Sequence, residues 1–415
     1  MFLKKGKTVL AFISTVLLVS LCFIIVSSLR SKVNNDIISI NVYNWGEYIA
    51  DGTDETLDVN AEFTKKTGIK VNYTTYQSNE ALFAKLQSGA AKYDVIIPSD
   101  YMIAKMIDNN MLKKLNFSNI PNYDLIDEEF KNTLYDPQNE YSVPYTWGRV
   151  GIFYNKKMVD ENPENISWDI LWNEKYKNNI LMFDNPRDAF AIAQIKLGLS
   201  INSTNEEDWN KAADELKKQK PLVQSYVMDQ IFDKMGNEEA AVAPYYSGDS
   251  YMLMNMNNNI GFVVPKEGTN KFVDAMCVPA NSEHQNEAEA YINFMCDKDI
   301  AIENIKYIGY SSPESCVREN LDPQIANNSI YYPTKDELNN AQFFTNLPNE
   351  INKLMDELWV IVKIGESSSP LGLMLILAAF LLVYILAVIY NKKRHIVKAS
   401  WWKDFADKFN KYKSG

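Results

Sequence analysis

The chain has 415 residues, of which 46% are hydrophobic and 23% charged, and its formal net charge is -11 at pH 7. This length and composition exclude a disordered or fibrous chain and favour a globular body of two packed lobes. The first ten residues and residues 391–415 are basic, so residues 11–390 carry a net charge of -20. An acidic body argues against a nucleic-acid partner and favours cationic small ligands, although surface acidity that serves only solubility gives the same charge.

The N-terminal segment, residues 1–35, combines a basic start with an apolar run from Val9 to Val26. This pattern is typical of a secretory signal peptide or a signal anchor. Cys22 invites a lipoprotein interpretation, but Leu21 stands before it, where a small residue is expected. The sequence therefore predicts export and leaves open whether this segment is cleaved, lipidated or retained.

Short apolar runs alternate with amphipathic segments after Asn35. In chain order the predicted elements are a strand at IISINVYN, a helix at Glu55–Thr67, a strand at IKVNYTTY, a helix at Asn79–Ser88, a strand at YDVIIPS and a helix near Met102–Asp108. This order predicts a parallel sheet covered by helices. Ligands gather at the carboxyl ends of such strands, which here carry the segments NWGEY, PSDY and YTWGRVG.

A second α/β region is predicted from about Arg149 to Lys271. Its strand-like runs are GIFYN, NNILMFD and EAAVAPYYSGD, and its helical stretches lie near Ala189–Leu199 and Trp209–Lys218. Its strand ends again carry acids and rings, in FDNPRDAF and APYYSGDSY. Further along, KFVDAMCVPA ends another strand-like run and YIGYSSP separates helices.

The segment from Leu371 to Tyr390 is uncharged and long enough to span the hydrocarbon core of a bilayer, so it is predicted to be a transmembrane helix after a linker at 364–370. The basic run NKKRH follows directly and places the C-terminus in the cytoplasm. Residues 391–415 space aromatic rings and lysines along one helical face, which suits a helix lying against anionic membrane lipid. A disordered basic tail is the alternative.

Catalytic and metal-binding constellations are missing from the sequence. The two histidines, His284 and His395, stand apart from acid-rich motifs, which argues against a nucleophilic triad. The outer body has three cysteines, Cys277, Cys296 and Cys316, with no CxxC spacing, which argues against a disulfide framework and a zinc site. We therefore expect no enzyme activity, no metal and no cofactor. An enzyme acting on a cationic substrate stays the weakest alternative.

Rings and carboxylates recur together at the predicted strand ends. The rings are Trp45, Tyr48, Tyr101, Tyr246 and Phe272, and the acids are Glu47, Asp100, Asp188, Asp249 and Asp274. An aromatic face stabilises a cation by ~0.5–2 kcal/mol, and a hydrogen bond to a charged group contributes about 1.5–3 kcal/mol. An alkyl diamine would use both. The alternative is that the rings belong to the core and the acids cap helices, as Asp100 would do.

Several segments, in chain order over about residues 37–363, resemble the extracytoplasmic spermidine/putrescine-binding proteins of polyamine ABC importers. They are VYNWGEYI, FTKKTGIKVNYTTYQSNEALFAKL, YDVIIPSDYMI, YSVPYTWGRVGIFYN, VVPKEG, FVDAMCVPA and IGYSSP. The resemblance implies an α/β, two-lobed periplasmic-binding-protein fold with a ligand cleft at the hinge, here flanked by N- and C-terminal transmembrane helices. Lobe 1 is predicted to comprise residues 36–148 and 273–310, and lobe 2 residues 149–272 and 311–363.

The resemblance and the strand-end motifs together give a predicted set of ligand residues. The set is Trp45, Glu47, Tyr48, Ser99, Tyr101, Asp188, Tyr246, Asp249, Phe272, Asp274 and Tyr310. Asn185 departs from the family, because spermidine binders tend to have an acid there. Tyr246 and Phe272 replace tryptophans, and Gly46 offers no hydroxyl. One acid fewer favours putrescine over spermidine as the ligand.

The predicted function is that of a membrane-anchored, non-enzymatic polyamine receptor. The resemblance implies delivery of putrescine or spermidine to the permease subunits of an ABC importer that has a separate ATPase. The opposing hypothesis is a polyamine sensor that signals through the transmembrane helix and the basic tail. No kinase, cyclase or DNA-binding motif follows the predicted membrane segment, so the sensor ranks second.

Overall fold

Strands and helices alternate along the chain in the computed structural model, which describes residues 38–89 and 91–364. The predicted signal segment, the predicted transmembrane helix and the basic tail lie outside these residues. The described strands are β1 Ser39–Trp45, β2 Lys70–Tyr76, β3 Val95–Ile96, β4 Ser142–Asn155, β5 Ile180–Phe183, β6 Val223–Val227, β7 Val242–Tyr246, β8 Ile260–Val263, β9 Thr269–Cys277 and β10 Ala341–Phe343.

The helices occupy the segments between and after these strands. They are α1 Val59–Thr67, α2 Asn79–Gln87, α3 Asp100–Asp108, α4 Pro186–Lys196, α5 Glu206–Gln219, α6 Gln230–Gly236, α7 Ser250–Met256, α8 Gln285–Met295, α9 Lys298–Ile308, α10 Ser315–Arg318, α11 Pro323–Ala326 and α12 Asn349–Ile364. Helix α1 begins four residues later than predicted, because the Asp58 side chain accepts a hydrogen bond from the backbone N–H of Ala61 and caps the helix.

The strands form one curled sheet with two parallel groups. Its order is β2-β1-β3-β9-β4-β7-β5-β6, with β10 paired to β9 and β8 paired to β4. Strand β1 runs parallel to β2 and β3, which confirms the predicted β-α-β-α-β arrangement. Strand β5 runs parallel to β6 and β7 in the second group. The antiparallel pair of β4 and β9 joins the two groups.

Strand β4 runs along the junction between the two parallel groups and pairs with strands on both sides of it. Its first half pairs with β9, and its second half pairs with β7 and β8. All fourteen residues of β4 are buried. A strand buried on both faces needs a nearly continuous run of apolar and ring side chains, and SVPYTWGRVGIFYN supplies one. The strand ends of both groups therefore meet beside β4 and β9.

Among the described residues, those up to Met355 form one compact unit, and the whole sheet belongs to it. Within residues 38–89 and 91–364, no helix has the length and apolar character that crossing a membrane requires. Cys277, Cys296 and Cys316 are all free thiols, and the first two are buried.

Candidate functional site

A narrow cavity opens where the strand ends of the two groups meet. The volume of the cavity that the centre of a water-sized molecule can occupy is about 50 Å³. Ten of the eleven predicted ligand residues line it: Trp45, Tyr48, Ser99, Tyr101, Asp188, Tyr246, Asp249, Phe272, Asp274 and Tyr310. Residues more than 260 positions apart along the sequence therefore share one wall, as the convergence of strand ends predicts.

Glu47 is the predicted ligand residue that does not line the cavity. It lies in the turn after β1 with a φ of 48°, and its side chain is exposed. Partial burial raises the pKa of its carboxyl, and the nearby Asp229 and Asp51 carboxylates raise it further. The alternation of side chains along β1 does not continue through this left-handed turn, and Glu47 as a ligand residue stays a prediction.

Asp100, also considered as a cavity acid, serves the backbone instead. Its carboxylate accepts hydrogen bonds from the backbone N–H groups of Tyr101 at 2.6 Å and Val273 at 3.3 Å. Burial raises its pKa well above the usual range for aspartate. Ser99, not Asp100, is the residue that precedes α3, so the structural role of Asp100 differs from the helix cap that the alternative described.

Sequence reasoning missed nine residues of the cavity wall as ligand residues. They are Gly46, Asn79, Asn185, Met228, Asp229, Phe232, Tyr245, Asn270 and Phe344. Asp229 is the acid among them, and it follows β6, a strand that the prediction did not name. The segment VQSYV before it, with two valines and a tyrosine, was the available signal.

Asp274 lies on β9 and points one oxygen at a protein partner. The Tyr48 hydroxyl donates to Asp274 Oδ2 at 2.6 Å and also contacts the Thr146 hydroxyl. The other oxygen, Oδ1, is buried and has no hydrogen-bond partner among the described residues. Burial raises the pKa of Asp274 to about 6. A buried carboxylate oxygen without a donor is unfavourable, so a ligand that donates to it gains free energy.

Asp188 lies in the first turn of α4, where the helix dipole favours negative charge. It accepts hydrogen bonds from the Tyr246 hydroxyl at 2.8 Å, from Asn185 Nδ2 at 2.7 Å and from Asn270 Nδ2 at 3.2 Å. Burial nevertheless raises its pKa to about 7. The three donors hold the carboxylate in one orientation on the cavity wall.

Asp249 and Asp229 form the third acidic position. The Tyr310 hydroxyl donates to Asp249 Oδ2 at 2.7 Å. Burial raises the pKa of Asp249 to about 8, and repulsion from Asp229 and Glu47 contributes. The Tyr245 hydroxyl lies 3.4 Å from Asp229 Oδ1, and burial raises the pKa of Asp229 as well.

None of these four acids has a lysine, arginine or histidine nitrogen within the ion-pair distance of 4.0 Å in the part of the chain that the structure describes. The described ion pairs involve other acids, such as Glu62 with Lys65. The buried Arg187 guanidinium lowers the pKa of Asp188 but forms no ion pair with it, and grouping carboxylates without such pairs is costly. The arrangement suits a ligand that brings its own positive charges.

Aromatic rings form the walls between the acids. The Tyr48 and Tyr310 rings meet edge to face with centroids 4.6 Å apart, and the Tyr246 and Phe272 rings do so at 5.4 Å. The Trp45 indole N–H donates to the Ile97 carbonyl at 3.0 Å, which fixes the ring at the end of β1. Such walls accept methylene groups on their apolar surface and cations on their faces.

The Tyr310 ring packs directly on Gly248. A Cβ atom at position 248 would lie 2.2 Å from two ring carbons, so we expect Gly248→Ala to displace Tyr310 and to lower the free energy of unfolding by about 1–3 kcal/mol. Denaturant unfolding measures this loss. Gly236→Ala is the matched control, because its Cβ would lie 3.4 Å from the flexible end of Met256. Equal stability of the two variants would contradict the close packing of Tyr310.

The curled sheet and the cavity between its two parallel groups can now be compared with known proteins. The family model of the bacterial extracellular solute-binding proteins matches residues 59–332. The chain belongs to this family. The match covers strands β2 to β9 of this solute-binding protein, and β1 and β10 lie outside it.

Individual relatives are similar over most of their length. The spermidine/putrescine-binding periplasmic protein of Salmonella typhimurium is 34% identical over 328 residues, which is 78% of this chain and 91% of the relative. The putrescine-binding periplasmic protein of Pseudomonas aeruginosa is 30% identical over 344 residues, with 79% and 92% covered. A solved structure, the putative spermidine/putrescine ABC transporter from Listeria monocytogenes, matches with a TM-score of 0.74 and 36% identity over 78% of this chain and 98% of that one.

These comparisons confirm several predictions. The solute-binding protein has the predicted periplasmic-binding-protein-like α/β fold, and its homologues are polyamine-binding periplasmic proteins of ABC transporters. The family is one of binding proteins, so the chain is not an enzyme, as predicted. The family also confirms that the binding domain is extracytoplasmic.

Proposed function

We propose that this solute-binding protein binds a polyamine in the cavity and delivers it to the permease of an ABC importer with a separate ATPase. One observation carries the proposal: Asp188, Asp229, Asp249 and Asp274 share a ring-walled cavity, and no described cationic side chain pairs with them. Each acid has a tyrosine hydroxyl beside it, which orients the carboxylate before the ligand arrives. The relatives that bind spermidine or putrescine support the same class of ligand.

The amide side chains of the wall argue against a sugar. Asn185 and Asn270 donate to Asp188, and Asn79 donates to the hydroxyls of Ser99 and Tyr101. Their donors are therefore already used by the protein. A neutral sugar would leave the carboxylates without positive partners, whereas ammonium groups would pair with them.

We propose that the two lobes follow the boundaries predicted from the sequence, with β4 and β9 as the connecting strands. Trp45, Tyr48 and Tyr101 then belong to lobe 1, and Asp188 and Asp249 belong to lobe 2. A ligand held by both sides would stabilise the closed arrangement of the lobes. Closure also removes water from the ammonium groups, which strengthens their attraction to the carboxylates.

Calorimetric titration of the purified full-length protein tests the proposed function. Putrescine, spermidine and spermine are compared with a panel of neutral sugars at equal concentrations. We expect at least one polyamine to bind and every sugar to give only heats of dilution. Saturable heat with a sugar and none with the polyamines would overturn the proposal.

Trp45→Ala is expected to weaken polyamine binding by about two- to thirty-fold, the range that loss of one cation–π contact gives. Titration calorimetry measures the change. Trp172→Ala is the matched control, because its indole N–H also donates to a backbone carbonyl, that of Glu215 at 3.0 Å, but its ring does not line the cavity. Equal affinities of the two variants would remove Trp45 from the binding wall.

The membrane anchor is also a proposal, because the predicted helix Leu371–Tyr390 lies outside the described residues. An anchor beside the permease would raise the effective concentration of receptor without any new contact. A chain that ends at Ser369 is expected to bind polyamine unchanged and, if the N-terminal segment is cleaved, to leave the membrane fraction. Fractionation followed by immunoblotting measures this. A full-length chain that already fractionates as soluble would contradict the anchor, and with it the signalling alternative.

A further inference from the structure

The acid that sequence reasoning missed lies at one end of the cavity. Asp229 comes two residues after β6 and directly before α6. The ring of Phe232, one turn further along α6, lines the same cavity. Asp229 is therefore held by the junction of a strand and a helix, which gives its carboxylate a defined position.

The Asp229 carboxylate lies against the backbone of the other side of the cavity. A Cβ atom at position 46 would lie 2.5 Å from Asp229 Oδ2, so any side chain there would require the carboxylate to move. Gly46 follows β1, whereas Asp229 follows β6, and these strands belong to different parallel groups. The present position of the Asp229 carboxylate thus uses the space that Gly46 leaves, although the sequence suggested only that Gly46 lacks a hydroxyl.

This end of the cavity holds more negative charge than its partners balance. Asp229 and Asp249 repel each other, and repulsion from Asp229 contributes to the raised pKa of Asp249. Within the described ranges, no cationic side chain lies within 4.0 Å of either acid. Independently, the buried Oδ1 of Asp274 on the same cavity wall lacks a hydrogen-bond partner among the described residues. Both observations call for positive charge from a ligand.

We propose that Asp229 is a specificity-determining residue: with Asp249 it forms a two-carboxylate position for a terminal ammonium group, so that the cavity prefers a linear triamine to a diamine. The inference rests on the proposed polyamine function. The cavity then offers three positions, at Asp188, at Asp274 and at the Asp229–Asp249 pair. A diamine fills two of them and leaves carboxylates buried without a partner, whereas a triamine pairs all three. Asp229 thereby adds an acid, at another position, to a cavity in which Asn185 stands where spermidine binders tend to have one.

Titration calorimetry with putrescine and spermidine tests the proposal on the purified full-length protein. We expect the unmodified protein to bind spermidine at least ten-fold more tightly than putrescine. Asp229→Asn is expected to weaken spermidine binding ten-fold or more and putrescine binding less than three-fold. Asp233→Asn is the matched control, because this exposed acid lies on α6 one turn further and does not line the cavity. It is expected to change neither affinity more than two-fold.

Gly46→Ala provides a second, geometric test, because the added Cβ pushes the Asp229 carboxylate aside without removing its charge. We expect it to reproduce the selective loss of spermidine binding. The role of Asp229 would be overturned if either variant lost affinity equally for both polyamines, or if either variant lost no affinity at all. A preference of the unmodified protein for putrescine would also overturn it. Absence of binding of both polyamines to the unmodified protein would instead overturn the proposed function.

Discussion

Replacing Asp274 by asparagine lowers the affinity for polyamines ten-fold or more, while the protein stays folded. Asparagine keeps the size of the side chain and can still accept the hydrogen bond from the Tyr48 hydroxyl, which lies 2.6 Å from Oδ2. It loses the negative charge and the free oxygen Oδ1 that a ligand ammonium group would contact. A hydrogen bond to a charged group contributes about 1.5–3 kcal/mol, and ~1.4 kcal/mol corresponds to one decade of affinity. Titration calorimetry with spermidine measures the loss.

Glu314→Gln is the matched control for this experiment. Glu314 is also buried, and burial raises its pKa to about 8, but it does not line the cavity. Replacing it removes a buried carboxyl group of the same kind at a distance from the ligand. We expect its polyamine affinity to stay within two-fold of the unmodified protein. Equal losses in Asp274→Asn and Glu314→Gln would show that any change in buried charge weakens binding, and would remove Asp274 from the site.

The first parallel group, β1 to β3, could be predicted because its local patterns are strong. The alternation of IKVNYTTY and the apolar run YDVIIPS belong to strands that pair with β1. The pairing of β4 with β9 could not be predicted in the same way, because register between strands more than 100 residues apart leaves no local signal. Strand β10 was also missed, because its three residues, Ala341–Phe343, are too short to show a period.

Some acids of the site could be predicted from a local sequence pattern, and others could not. Asp274 lies within β9, where side-chain alternation is regular, and it lines the cavity. Glu47 lies in a left-handed turn, where that regularity ends. The carboxylate of Asp229 occupies space that Gly46, 183 positions earlier, leaves open. A contact between such distant segments depends on tertiary packing, so the sequence pattern of either segment alone does not contain it.

Polyamine binding is expected to weaken at least ten-fold as the pH falls from about 8 to about 6. Burial raises the pKa of Asp274 to about 6, of Asp188 to about 7 and of Asp249 to about 8, so these acids gain protons in the empty cavity over this range. A protonated carboxyl no longer attracts an ammonium group, whereas aliphatic amines, like lysine with a pKa of about 10.4, stay charged. Each acid lowers the affinity up to ten-fold per pH unit below its own pKa, because the ligand must displace the proton.

The raised pKa values of these three acids also determine whether the empty folded protein gains or loses stability as the pH rises. These acids have a higher pKa in the folded, empty protein than the usual ~3.9 of aspartate, so their contribution to stability is fully present below about pH 4, falls progressively above it, and is lost once the pH has risen through their folded pKa values of about 6 to 8. Ammonium groups of the ligand reverse this loss. The gap between the melting temperatures of the liganded and the empty protein should therefore widen with pH across this range.

Calorimetry near pH 7 in buffers of different ionisation enthalpy should detect protons released on binding, and Asp249→Asn should release fewer. An affinity that stays constant from pH 6 to 8 without proton release would show that the carboxylates are already charged in the empty cavity, in which case burial does not control them.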